Sequence, residues 1–355
     1  MKTYLVTGGA GFIGSNFIKY ILNKYENVKL ICLDKLTYAG NLTNIKYDIE
    51  NTNGRLKFIK GNINNRDLLQ YIFDTWDITY VINFAAETHV DRSIQNSDLF
   101  LETNVLGVQN LMNIAKESWE TKDRQYTNKV KFLQISTDEV YGSLENKGYF
   151  SENNKLKPNN PYSASKASAD LLVRSYNETY NFPTIITRSS NNYGPYQFPE
   201  KLIPLMINNI LQGKKLPIYG DGLNVRDWLH VRDHCRAIDM ILKKGDPGEV
   251  YNIGGHNEKT NIDIVRIIIE ETYKLIMKNQ SYKEIASTDL KDINKDLITY
   301  VKNRLGHDKR YAIDPTKIKN EIGWKPKIEF KEGIINTIKW YLDNQKWLKT
   351  VTSGD

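Results

Sequence analysis

Through the first half of the chain, short apolar runs alternate with stretches in which apolar residues return every three or four positions. Thr3 to Thr7, Val28 to Leu33, Lys57 to Ile63, Ile78 to Phe84 and Val130 to Ile135 have the length and branched-residue content of strands, and the last of them reads as buried on both faces. Between them lie helical patterns: Phe17, Ile18, Ile21 and Leu22, then Asp67 to Phe73, then a long stretch from about Asp98 to Trp119. Strand and helix in alternation predict an α/β architecture, a parallel doubly wound sheet with right-handed crossovers. Polar Glu120 to Lys129 reads as a surface loop.

The pattern continues with a strand at Pro183 to Arg188 and a loop at Ser190 to Tyr196, and then the alternation weakens. Leu202 to Leu211 is helical, Leu216 to Gly222 is a strand with a turn, and Arg226 to Val231 is a strand leading into a helix near 232 to 243. Glu249 to Gly254 supplies one more sheet strand, and helices follow at about 261 to 279 and 331 to 345. The predicted division is a sheet domain from 1–190 plus about 226–256, a smaller mixed α/β lobe from about 191–225 plus 257–345, and a tail at 346–355. No internal repeat or low-complexity segment interrupts it.

Composition narrows the class. A chain of 355 residues, 40% hydrophobic and 26% charged, can bury a core of this size. No apolar run approaches the ~20 residues that cross a bilayer, and Met1 to Thr7 enters a strand without a leader pattern, so a cytoplasmic protein without a membrane partner is expected. Cys32 and Cys235 are too few for a disulfide framework, and no metal-ligand spacing occurs. The net charge is +7, yet the lysines are scattered, which favours a solvated surface over a nucleic-acid footprint.

Candidate chemistry gathers at three places. Gly8-Gly9-Ala10-Gly11-Phe12-Ile13-Gly14 follows the first strand and opens a helix, where Gly8 permits the turn, Gly11 lets backbone approach a diphosphate and Gly14 lets helix and strand pack. Asp34, at the end of the second strand and twenty positions beyond Gly14 (34 − 14), suits a carboxylate that binds a ribose 2′-hydroxyl, which selects NAD over NADP. Downstream, Ser136-Thr137-Asp138-Glu139 ends a strand, and Tyr162 and Lys166 stand four residues apart on one helix face. A hydroxyl, two carboxylates, a phenol and an ammonium are more acid-base equipment than binding alone requires.

The glycine segment together with Tyr162-x-x-x-Lys166 resembles the extended short-chain dehydrogenase/reductase superfamily, whose members carry a Rossmann-type sheet. The pair Asp138-Glu139 is similar to the signature of its nucleotide-sugar 4,6-dehydratases, where epimerases usually have small or hydroxyl residues. Resemblance runs on through Ala85 to Ser93, Ser190 to Tyr196, Pro199 to Pro204, Arg226 to Trp228 and Gly306 to Asp314, nearly the whole chain.

The resemblance implies an NAD-dependent hydro-lyase acting on a nucleotide-diphosphate sugar. It assigns Tyr162, with its pKa lowered by Lys166, to C4 oxidation together with Thr137, Asp138 as the acid for the departing hydroxyl, and Glu139 as the base at C5. Cofactor contacts implied are Gly8, Gly11, Phe12, Ile13, Gly14, Asp34, Lys35, Leu36, Thr37, Asn62, Ile63, Ala85, Ala86, Thr103, Tyr162, Lys166 and Asn192. Substrate contacts implied are Thr88, Thr137, Asn191, Arg226, Asn261, Arg304 and His307, with Arg226 suited to bidentate phosphate binding and Asn261 also readable as a helix cap. No metal is implied. A homodimer through the helices near 98–119 and 162–180 is implied as well. The chain departs from the family pattern at Asn62 (usually Asp), Thr88 (usually Ser), Asn303 (usually Asp) and Leu305 (usually Pro), and 280–300 is longer.

Overall fold

The computed structural model describes residues 1–127, 129–145 and 147–353. Twelve strands are formed by these residues: β1 (Lys2–Thr7), β2 (Val28–Asp34), β3 (Leu56–Lys60), β4 (Tyr80–Asn83), β5 (Lys131–Thr137), β6 (Thr184–Ser189), β7 (Asn191–Tyr193), β8 (Leu216–Tyr219), β9 (Val225–His230), β10 (Val250–Ile253), β11 (Glu258–Thr260) and β12 (Ile298–Val301). Seven of them make one sheet in the order β10-β6-β5-β4-β1-β2-β3, every pair parallel. The predicted doubly wound sheet is therefore present.

Its central strands are apolar because both faces are covered. Helices Phe12–Lys24 and Val231–Lys244 pack on one face, burying Phe17, Ile18, Ile21, Ile238 and Ile241. Helices Arg66–Thr75, Gly107–Trp119 and Pro161–Tyr180 cover the other with Leu69, Ile72, Leu111, Met112 and Val173. The chain winds from β1 outward to β2 and β3, then returns to β4 on the other side and proceeds toward β10. Order reverses between β1 and β4, and beyond the carboxyl ends of those two strands such a sheet leaves a crevice.

A separate core forms the smaller lobe. Helices Leu202–Leu211, Asn261–Lys278 and Phe330–Asp343 bury Ile203, Ile207, Ile264, Ile268, Ile334 and Ile338 against one another. β8 pairs with β12, and β11, β9 and β7 form a three-stranded sheet that bridges the lobe to the main sheet.

Three elements differ from the sequence expectation. Residues 191–193 form a strand within the predicted loop, because β9 pairs alongside them in the small sheet; β9 is consequently absent from the large one, to which only β10 of the expected 226–256 segment belongs. The 98–119 stretch is one helical run carrying a π-turn at Glu102–Leu106 between Asp98–Leu101 and Gly107–Trp119. A single inserted residue leaves apolar periodicity almost unchanged, which is why pattern alone misses it. The expected tail is a helix, Gln345–Ser353, anchored by buried Leu348 and Val351.

Candidate active site

One cleft of about 330 Å³ opens at the switch point. β1 ends at the glycine turn, where Gly8 sits at φ +65° with its α-carbon so near Ala85 that a Cβ would lie 2.6 Å from the Ala85 nitrogen. A Cβ on Gly14 would lie 2.4 Å from the Gly8 carbonyl oxygen, so strand, turn and helix pack as closely as predicted. At Gly11 an added Cβ would meet only the Gly8 oxygen, at 3.3 Å. Helix Phe12–Lys24 begins there with no side-chain cap and no acidic residue in its first turn, which leaves its positive end to an anion.

Around this cradle stand Gly8, Gly11, Phe12, Ile13, Gly14, Asp34, Lys35, Thr37, Asn62, Ile63, Ala85, Ala86, Thr103 and Asn192, all lining the cleft; of the expected cofactor contacts only Leu36 does not. Leu36 serves through its backbone, at φ +55°, donating to Asp34 Oδ1 at 2.8 Å while the Ala10 amide donates to Asp34 Oδ2 at 2.9 Å. The carboxylate is thereby aimed by two amides although burial raises its pKa. A diphosphate-sized anion at an uncapped helix, a carboxylate for a diol and flat walls of alanine and isoleucine fit a dinucleotide.

β5 delivers the acid-base groups into the same cleft. Its last residue, Thr137, accepts from the Glu139 amide at 3.3 Å and so caps the short turn Asp138–Tyr141. The two carboxylates then diverge in environment. Asp138 is 2% exposed, its Oδ2 finds no hydrogen-bond partner among the described residues, and burial with the negative charges of Glu139 and Asp227 pushes its pKa well up. Glu139 is raised by burial too, but the cations of Arg226, Arg304 and Lys201 oppose that rise. Neighbouring carboxyls held at different proton affinities are what an acid and a base side by side require.

Helix Pro161–Tyr180 starts at Asn160, whose side chain accepts from the Ser163 amide, with Pro161 at its first turn. Tyr162 and Lys166 thus face the cleft one turn apart. Lys166 donates to the Ile135 carbonyl at 2.7 Å, and burial pushes its pKa down to about 8 against the pull of Asp170. Burial and then the charges of Glu139 and Asp138 push the Tyr162 phenol up, and the Thr137 hydroxyl pulls it down.

Of the expected substrate contacts, Thr88, Thr137 and Asn191 line the cleft. Arg226, Arg304 and His307 gather at its lobe side, where both arginines act on Glu139 and together with burial push His307 down to about 3. Arg226 is committed more fully than expected: its guanidinium donates to the carbonyls of Val225 and Asp308 at 2.8 and 2.9 Å and lies over the Tyr311 ring. It therefore also fixes the 308–311 segment. Asn261 is not the helix cap; Thr260 holds that place, accepting from the Asp263 amide, and Asn261 sits in the first turn.

Sequence reasoning passed over Ser136, Glu87, Gln197, Glu200 and Lys201 as site residues, yet all line the cleft. Lys201 donates to the Thr88 carbonyl at 3.1 Å and Glu200 accepts from Tyr38 at 3.0 Å, so the loop after β7 is tied to the walls after β4 and β2. Glu87 is held by Asn104, which its π-turn position lets reach both Glu87 backbone groups, at 2.9 and 3.0 Å. The signal available was the charged pair Glu200-Lys201 in an otherwise apolar approach to a helix; its place in the cleft depends on the fold.

Comparison with known proteins agrees with this geometry. The family model described as GDP-mannose 4,6 dehydratase matches residues 5–337. The chain is 46% identical to a dTDP-glucose 4,6-dehydratase of Salmonella typhimurium, over 99% of this chain and 95% of the other, and 45% identical to one of Neisseria meningitidis, over 100% and 97%. Among solved structures, it is similar to a dTDP-glucose 4,6-dehydratase from Bacillus anthracis in complex with NAD, at 48% identity and a TM-score of 0.84 over 99% and 100% of the two chains. It is also similar to a UDP-glucose 4-epimerase from Thermotoga maritima, at 27% identity and a TM-score of 0.80 over 97% and 99%.

Proposed function

We propose, from the premise that the chain belongs to the GDP-mannose 4,6 dehydratase family, that it is an NAD-dependent hydro-lyase converting dTDP-glucose to dTDP-4-keto-6-deoxyglucose and water. The observation that carries this reading is the differently tuned pair Asp138 and Glu139 within the cleft that also holds Tyr162 and Lys166. Fold alone cannot carry it, since an epimerase shares the fold at 27% identity.

NAD⁺ fits the glycine-turn cradle and, bound there, supplies a two-electron acceptor for hydride from sugar C4, returned afterwards to C6. The chain's own groups do the rest. As in the family to which the chain belongs, Tyr162 would act as a phenolate stabilised by Lys166 one turn away and receive the O4 proton, with the Thr137 hydroxyl hydrogen-bonded to its phenol; that proton afterwards restores Asp138. Once C4 is a ketone, the C5 proton is acidic, and Glu139, beside the cations of Arg226, Arg304 and Lys201, removes it. Asp138, held protonated by burial and neighbouring charge, gives its proton to the C6 hydroxyl as that leaves as water. Glu139 then returns its proton to C5. Thr88 and Asn191 line the cleft on the sugar's side, and Arg304, His307 and Arg226, mutually close on the lobe, are the groups for the diphosphate and nucleoside.

The product feeds deoxysugar synthesis such as that of rhamnose. The buried free thiols of Cys32 and Cys235 fit a reducing cytoplasm. A homodimer is supported by Leu99, Leu101, Leu106 and Leu171, apolar side chains exposed along neighbouring helical segments; a solution mass of one chain for active enzyme refutes it. The decisive assay incubates the protein with dTDP-, UDP-, CDP- and GDP-hexoses and identifies products by mass. Loss of one water from dTDP-glucose is the expected result. Inversion at C4 without loss of water sinks the dehydratase reading.

A further inference from the structure

The carboxyl-terminal helix ends in a place that catalysis does not explain. Trp347 donates from its indole Nε1 to Asn44 Oδ1 at 2.7 Å, joining residues 303 positions apart. Asn44 is 2% exposed and uses its other amide atom to donate to the Ala10 carbonyl at 2.8 Å, in the middle of the glycine turn. The Asn41 amide donates to the same carbonyl at 3.0 Å. Ala10 in turn gives its own N–H to Asp34 Oδ2. A continuous line of hydrogen bonds thus runs from the last helix to the carboxylate at the ribose end of the cleft.

The same aromatic group also grips the opposite wall. The Tyr196 ring lies 4.6 Å from that of Trp340 and 5.9 Å from that of Trp347, with Lys19 of the glycine-turn helix over its face. Tyr341 donates to the Gln197 carbonyl at 2.6 Å, and the Gln197 side chain donates to the Asn192 carbonyl at 3.0 Å. Asn16, on the glycine-turn helix, reaches the Pro195 carbonyl at 2.9 Å. Both the turn at residues 8–14 and the loop at 191–198 therefore rest on one cluster built from the final two helices.

We propose that Trp347 is a positioning residue for the dinucleotide: through Asn44 it fixes the Ala10 peptide, and with it the geometry of the glycine turn and of Asp34. The proposal rests on the reading of the cleft as an NAD site. A group that sets the shape of a cradle changes ligand affinity, whereas chemistry at saturating ligand is left to Tyr162, Asp138 and Glu139. Removing the helix outright also deletes the buried side chains of Leu348 and Val351 and uncovers the core that Leu348 packs on, so truncation confounds binding with folding.

The full-length protein is therefore compared with Trp347→Phe, which keeps the ring and loses the donor, and Asn44→Asp, which can still accept from Trp347 but cannot donate to Ala10. NAD retained on purification is measured, then the Kd for NAD by titration into chains freed of it, with kcat at saturating NAD. Each variant is expected to raise Kd about five-fold, the worth of one ordinary hydrogen bond, with kcat unchanged. The double variant is expected to be no worse than the poorer single, because both cut one line. An unchanged Kd in Trp347→Phe overturns the proposal even if its melting temperature falls, and so do independent, multiplying effects. If the unaltered chain binds no NAD, the reading of the cleft itself fails instead.

Discussion

The end of β5, which lines the cleft, and the loop at 303–308, whose Arg304 acts on Glu139, are built in opposite ways. Thr137 ends a strand paired with β6 up to that residue, and Asp138 opens the turn that follows, in which Val140 and Tyr141 are fully buried. The 303–308 loop carries Leu305 at 72% exposure, turns through Gly306 at φ +60°, and is steadied by Asn303 accepting at its own amide neighbour and pairing with His307. Groups that move protons need fixed distances and a dry setting, and a strand end supplies both. Groups that recognise a substituent tolerate a loop, so fine specificity is free to vary there without disturbing the reaction.

The largest effects test the rigid side. Tyr162→Phe is expected to lower kcat by about 10³-fold or more, abolishing C4 oxidation and hence every later step, within the range for a lost acid-base group. Asp138→Asn is expected to slow water loss by about 10²-fold while hydride transfer from C4 still occurs, visible as transient NADH absorbance in a single turnover. If oxidation collapses equally in both, the division of labour along this strand end is wrong.

On the loop side, His307→Ala is expected to raise KM about five-fold with kcat nearly unchanged, as loss of one hydrogen-bonding contact implies. Steady-state kinetics decide the matter, and a fall in kcat at constant KM would erase the contrast drawn between the two regions.

The smallest expected effect concerns the scaffold behind them. Burial pushes His234 down to about 3 and His230 to about 4 from the ordinary 6.5. A histidine depressed on folding contributes stability that is complete above pH 6.5 and is lost as pH falls from there toward its folded value. Relative to His234→Gln, the unaltered protein should lose up to about 1.4 kcal/mol per pH unit between pH 6 and pH 4, read from urea midpoints. A pH-independent difference would place the proton on His234 in the folded state. In that case the pairing of its Nδ1 with Asn192 at 3.0 Å has another protonation state than burial dictates.

Much of this was legible before any coordinates. Buried strands announce themselves by uninterrupted apolar runs, and β1, β2, β4, β5, β6 and β10 lie where those runs lie. The glycine turn and Asp34 were legible because backbone geometry there admits few residue types. Less legible were β7 and β11, three residues each, whose existence depends on β9 lying between them. The helix at Gln345–Ser353 was read as a tail because what holds it is not local: Leu348 packs into the lobe core and Trp347 donates to Asn44, 303 positions away.

By itself, then, the sequence determined the alternation that winds the sheet, the place of the cofactor turn and the identity of Thr137, Asp138, Glu139, Tyr162 and Lys166. Local rules suffice for these, since period, turn chemistry and residue type act within a few positions. Tertiary structure alone decided how those groups differ. The proton affinities of Asp138 and Glu139 answer to Asp227, Arg226, Arg304 and Lys201, residues distant in sequence whose charges act across a buried space. It also decided that Lys166 spends its ammonium on the Ile135 carbonyl, and that Trp347 stands behind the glycine turn. Proton affinity follows from burial and summed charge, and neither quantity exists until the chain has folded.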